Sequence, residues 1–220
     1  MTDQRDPDPD IENQPPPARL GMSATRLEAF SDGVFAIVIT LLILDIKVPA
    51  DAGGRLGDAL AHQWPQYVAY LLSFLIVGII WLNHHATINL LARTDHRLQV
   101  HNLLLLLPVS VLPWPTALLA EYTRDGTPAD QQLTVIIYGL TSTTMAVTFN
   151  LLWRYLLRHP ELHKPGIDPT ALKVRDRRYT IGLIVYPIAT AIGLLNVPVF
   201  LTLMLALALL YLLPTPELGT

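Results

Sequence analysis

The 220-residue sequence contains no cysteine, which removes disulfide frameworks, thiolate metal sites and cysteine nucleophiles from consideration. Charge is nearly as scarce: 15% of residues are Asp, Glu, Lys or Arg, against about 25% in a soluble domain. The formal net charge is −3, so the basic surplus of a nucleic-acid-binding chain is missing. HExxH, a phosphate-binding glycine loop and a nucleophile elbow are absent, leaving no zinc-protease, nucleotide or serine-hydrolase constellation. No apolar run carries arginine at every third position, which excludes a voltage sensor. No internal repeat is visible either.

What the chain does have is apolar sequence in long runs, 51% of all residues. That pattern reads as an all-α, polytopic membrane protein. Six spans can be drawn, ended by Pro, Gly or charge: 27–47, 65–92, 100–121, 132–157, 178–195 and 198–213. The first is about 32 Å long at 1.5 Å per residue, which matches a hydrocarbon core. It is not read as a signal peptide, being longer than an apolar core of about 7–15 residues and carrying Asp32 near its start. The last two spans are separated only by Asn196-Val197-Pro198, and read either as one kinked hairpin or as two crossings.

Residues 1–25 hold five acids, two basic residues and several prolines, a composition expected to stay disordered. The domain plan is therefore a tail over 1–25, a six-helix membrane domain over 26–213 and a short tail over 214–220. With a cytoplasmic N-terminus and six crossings, only Lys47, Arg55 and Arg124 of the fifteen Lys and Arg residues fall outside. The positive-inside rule thus predicts both termini in the cytoplasm of an inner or plasma membrane, anchored by the basic loop over 158–178.

The chemistry-bearing residues concentrate in the first two spans. In RLEAFSDGVFAIVITLLILDIK, Ile37, Leu41 and Leu44 fall at i, i+4 and i+7 on one stripe, with Thr40 beside it. Spacing alone reads these as packing or lipid-facing positions. Asp32 is harder to place, because an ionised carboxylate within a span costs a few kcal/mol unless it faces a partner or water. Ser31 and Asp32, 100° apart, read either as an interfacial polar cap or as part of an interhelical hydrogen-bond network. The second span offers WLNHHATIN, where Trp81 and His84 share a face and His85 is turned away. Adjacent histidines on one helix do not converge on one ion, so no metal is expected. Neutral His84 is instead expected to bond Ser31 or Asp32.

The remaining spans carry weaker signals. Pro108, Pro113 and Pro115 predict kinks in the third span. Residues Thr141 to Thr144 in the fourth predict close helix packing. The run Thr134 to Gly139 brushes against the TVGYG potassium filter, but it lacks the first glycine and sits within continuous helix, so it is not read as one.

Arg26-x-x-x-Phe30-Ser31-Asp32, then Ala36-Ile37 and Thr40-Leu41-Leu42, then Trp81-x-x-His84, then Asn102 and Leu112-Pro113 together resemble the lysosomal and endosomal potassium channel family called transmembrane protein one-seven-five, in its prokaryotic single-repeat form. The resemblance runs from Arg26 through the third span. It implies a six-helix subunit, a homotetramer in membrane lipid, and a central potassium pore lined by the first helices, with no cofactor and potassium as the permeant ion. On that basis Ile37, Leu41 and Leu44 are expected to form the apolar constriction and Thr40 to contribute selectivity. Arg26, Phe30, Ser31, Asp32, Trp81 and His84 are expected to brace the pore helix. A ring of Asp45 carboxylates near the outer mouth would concentrate cations, although Asp45 lies about 80° from Ile37 on the wheel.

The expectation is thus a leak-type potassium channel. The competing reading is a proton-coupled secondary transporter using Asp32 and His84, which would ordinarily show repeated halves and broken helices. An intramembrane enzyme lacks a complete catalytic constellation.

Overall fold

The computed structural model describes residues 23–49 and 53–212. The two expected tails fall outside the described residues, except at their inner edge. There Ser23 caps the first helix, accepting a hydrogen bond from the Arg26 amide at 3.3 Å, and Ala24 and Thr25 are already helical.

The regular elements of the described chain are all helices joined by short loops. Helix α1 (Ala24–Leu41) tightens into a 3-10 turn over Leu42–Asp45. It is followed by a short α2 (Leu56–His62) and by α3 (Trp64–Ile88). The expected third span is broken in two, α4 (His96–Val111) and α5 (Pro113–Asp125). The break lies at Leu112 because Pro113 has no amide hydrogen and its ring would strike the carbonyl of Val109. That carbonyl takes the Leu112 amide instead, at 3.2 Å. Pro108, by contrast, is absorbed within α4.

Helix α6 (Pro128–Arg158) opens with a reciprocal capping box between Thr127 and Asp130. Helix α7 (Pro169–Gly193) begins about two and a half turns before the expected fifth span, because Asp168 caps it and Pro169 supplies a preformed first turn. Helix α8 (Val197–Leu212) returns antiparallel to it, with Tyr211 bonded to the Arg178 backbone and Arg178 bonded back to the Tyr211 carbonyl. The last two expected spans thus fall on two antiparallel helices.

Among the described residues, four helical stretches are long and apolar enough to cross a membrane: Ala24–Asp45, Trp64–Ile88, His96–Asp125 and Pro128–Arg158. Helix α7 carries Lys173, Arg175, Asp176, Arg177 and Arg178 in its first half, and α8 is a shorter apolar helix of 16 residues. Helix α6 is the spine, packing along α7 and against α4 and α5, while α3 packs on α1, α5 and α8. At the end expected in the cytoplasm, the loops after α3 and α6 pair through a bridge between Leu91 and His163, with the Lys164 amide on the Leu90 carbonyl at 2.9 Å.

Two contacts make measurable claims. Helices α6 and α7 approach so closely at Gly139 that an added Cβ would overlap the Thr190 hydroxyl and lie 2.6 Å from its methyl group. Gly139→Ala should therefore push the helices apart at a cost of about 1–3 kcal/mol. Thermal unfolding in detergent should show a lower midpoint than for Gly33→Ala in α1, where an added Cβ meets nothing.

The second contact is Asp95, which caps α4 through the Leu98 amide at 2.7 Å and accepts the Tyr155 hydroxyl of α6 at 2.6 Å. Partial burial pushes its carboxyl up, but the bonds from Tyr155 and Leu98, with His159 and Arg97 nearby, hold it below its ordinary value. A depressed folded-state pKa gives stability that is present at neutral pH and disappears as acid protonates the native carboxylate. The gap in unfolding midpoint between the protein and Asp95→Asn should therefore be open at pH 7. It should narrow below about pH 4, the range in which an aspartate titrates.

Candidate functional site

Helix α1 has one face inside the subunit and one outside it. Leu27, Ser31, Phe35, Val38 and Leu42 follow helical spacing and are buried. The opposite face is open: Ile37 is 61% exposed, Leu44 67%, Leu41 42% and Phe30 52%. Gly33 and Thr40 are exposed on it as well. The stripe expected from the sequence therefore has no cover among the described residues, because α1 packs chiefly on α3 and α4. The Thr40 hydroxyl donates to the Ile37 carbonyl at 2.8 Å, which uses its hydrogen and leaves its oxygen lone pairs free to accept. Asp45 is half-buried at the end of the 3-10 turn.

The buried face is pinned by a polar chain. Ser31 Oγ donates to the Leu27 carbonyl at 2.9 Å and accepts from Asn102 Nδ2 of α4 at 2.9 Å. Asn102 Oδ1 lies 2.7 Å from His84 Nε2 of α3. Since the Asn102 nitrogen faces Ser31, its oxygen accepts from His84, which places the histidine hydrogen on Nε2. All three side chains are fully buried, and the imidazole leans on the Phe35 ring at a centroid distance of 5.4 Å. Next to this chain, the Trp81 indole donates to Asp32 Oδ1 at 2.8 Å. Glu28 pairs with His85 Nδ1 at 2.7 Å, so His85 also reaches α1 although the wheel turns it away from Trp81 and His84.

These contacts differ from the expectation in three respects. His84 meets neither Ser31 nor Asp32 directly; Asn102 stands between it and Ser31, and Trp81 takes Asp32. Arg26 and Phe30 are exposed, and the Arg26 side chain has no hydrogen-bond or ion-pair partner among the described residues. Asn102 belongs to the sequence signature but carries no role there; a single amide ahead of five leucines is the signal that marks it.

A second buried node has no counterpart in the sequence motifs. The Thr116 hydroxyl donates to the Leu112 carbonyl at 2.8 Å, so Ser73 donates to Thr116 at 2.7 Å and Tyr138 to Ser73 at 2.9 Å. This chain ties the α4–α5 break to α3 and α6. Its members are dispersed serine, threonine and tyrosine residues that no spacing rule connects. Among the described residues, no three His, Asp or Glu side chains converge as a metal site.

Comparison with known proteins gives these features a setting. Residues 26–113 match the family model for the endosomal/lysosomal potassium channel TMEM175. A potassium channel of Streptomyces collinus is 46% identical over 187 residues, covering 84% of this chain and 90% of its own. The crystal structure of a lysosomal potassium-selective channel TMEM175 homolog from Chamaesiphon minutus superposes with a TM-score of 0.74 at 36% identity, covering 86% of this chain and 95% of that one. The endosomal/lysosomal proton channel TMEM175 of Gallus gallus is 33% identical over 148 residues, 63% of this chain and 29% of its own. The chain carrying this pinned, half-open helix belongs to the TMEM175 family of endosomal/lysosomal potassium channels.

Proposed function

We propose that this chain forms a leak-type, potassium-selective channel, assembled as a homotetramer with α1 of each subunit around a central pore. The observation that carries this reading is the open face of α1, apolar from Phe30 to Leu44 except for one hydroxyl, on a helix whose other face is fastened to α3 and α4. Relatives named as potassium channels, which this chain matches over most of its length, support it.

In this arrangement Ile37 forms the narrowest ring, with Leu41 and Leu44 one and two turns further outward. Four isoleucines offer an ion no oxygen ligands, so passage requires stripping or squeezing its hydration shell. Potassium holds that shell less tightly than sodium, and the outward lone pairs of four Thr40 hydroxyls replace part of what is lost. Asp45 at the outer end draws cations toward the mouth. Ser31, Asn102, His84, Asp32 and Trp81 hold the angle of α1, and exposed Arg26 and Phe30 would meet the neighbouring subunit. Six crossings, with α7 and α8 completing the four long spans, put both termini in the cytoplasm of an inner or plasma membrane.

A proton-coupled transporter using Asp32 and His84 is less well supported, because His84 is fully buried and bonded to Asn102 while Asp32 is held by Trp81. The purified protein in liposomes should pass potassium in preference to sodium with no pH gradient imposed. Flux that appears only with a pH gradient, or a current carried by protons alone, would overturn the potassium reading.

A further inference from the structure

A small cavity of about 40 Å³ lies between α3, α6, α7 and α8, away from the open face of α1. Its walls are mostly apolar, among them Ile79, Ile80, Met145 and Phe149, yet Asn150 also lines it. Asn150 is 3% exposed, and its amide nitrogen donates twice, to the Ala146 carbonyl at 2.9 Å and the Tyr179 carbonyl at 2.8 Å. Those two bonds fix the orientation of the amide, because turning it would set an oxygen against two carbonyls. Its Oδ1 is left with no hydrogen-bond partner among the described residues.

An unpaired acceptor in a low-dielectric interior costs a few kcal/mol. The missing donor must come from what fills the cavity. The volume exceeds the 10–15 Å³ that one water needs, with room for about two or three. A buried water also needs two to four polar partners. Asn83 and Tyr186 line the same space, and neither side chain has a hydrogen bond of its own among the described residues.

We propose that this cavity is a water-binding site, with Asn150 Oδ1 as its fixed acceptor and Asn83 and Tyr186 as its further polar contacts. Water held there bridges α3, α6 and α7, joining the α6–α7 pair to the helix that supports α1.

The test is a structure of the intact channel in a membrane mimetic at a resolution that shows ordered water, with a second data set under xenon pressure. The expected result is a water peak within about 3.2 Å of Asn150 Oδ1, and no xenon in the cavity, since xenon enters dry apolar voids. Absence of the water peak overturns the proposal whatever xenon does, and so does a lipid chain or a xenon atom occupying the space. Asn150→Leu, which fills the site and removes the acceptor, should abolish the peak. If that variant does not fold, Tyr186→Phe should keep the water on Asn150 and lose only the contact to position 186. Neither readout depends on the ion the channel conducts.

Discussion

Replacing Ile37 with asparagine is expected to raise the potassium current of the reconstituted channel about tenfold, the effect of lowering a barrier by about 1.4 kcal/mol. The reason is local. Ile37 is the most exposed residue in the middle of the open stripe on α1, and in the proposed pore its side chain would offer a passing ion nothing but hydrocarbon. An amide at that position supplies oxygen ligands and admits water, so sodium no longer loses its shell without replacement. The permeability ratio should fall toward unity together with the rise in current. Reversal potentials under potassium on one side and sodium on the other measure both effects in one experiment. Ile37→Val keeps the ring apolar and should retain selectivity. Currents unchanged by Ile37→Asn would move the constriction to Leu41 or Leu44.

The largest loss of stability is expected from Asn102→Leu. Asn102 bonds both Ser31 and His84 in a fully buried site, so its removal orphans a serine oxygen and an imidazole N–H at once. Each such group costs about 1–3 kcal/mol when left unpaired, and the two together should lower the unfolding midpoint more than any single change on the open stripe. The same argument predicts a recovery. Removing the orphaned partners as well, in Ser31→Ala/His84→Leu/Asn102→Leu, should give a protein more stable than Asn102→Leu alone, since apolar groups of similar size carry no desolvation penalty. A triple variant weaker than the single one would show that packing volume, rather than hydrogen bonding, holds α1 in place.

Much of α1 is legible in its sequence, because one helix obeys one period. The spacing of Ile37, Leu41 and Leu44 puts them on one stripe, and that stripe is open. The pairing of polar groups is less accessible, since partners arrive from other helices at separations of 49 and 71 residues. The wheel identifies Ser31, Asp32, Trp81 and His84 as residues needing partners, but a wheel has no means of showing that Asn102 inserts between two of them. The break at Leu112 is signalled by Pro113, whereas Pro108, five residues earlier, leaves α4 unbroken. A proline predicts a missing hydrogen bond; whether the helix ends there depends on whether neighbours accept the freed carbonyl. The early start of α7 is hidden because its first half is charged. Charge ends an apolar span, yet the helix itself continues beyond the apolar layer.

The polar pins on α1 all lie at one end. Ser31 and Asp32 are fixed by directional bonds, while the far end, beyond Val38, is held within the subunit by apolar contacts such as that of Leu42. Apolar contacts tolerate sliding in a way that hydrogen bonds do not, so α1 is a lever with its fulcrum at Ser31. At 1.5 Å per residue, Ile37 sits about 9 Å along the arm and Leu44 about 20 Å. A tilt of about 5° would therefore move Ile37 by about 0.8 Å and Leu44 by about 1.7 Å. In the proposed tetramer, four such arms closing together would change the bore at the outer end about twice as fast as at the isoleucines, so small rotations would act most strongly on the outer vestibule and half as strongly on the proposed isoleucine ring.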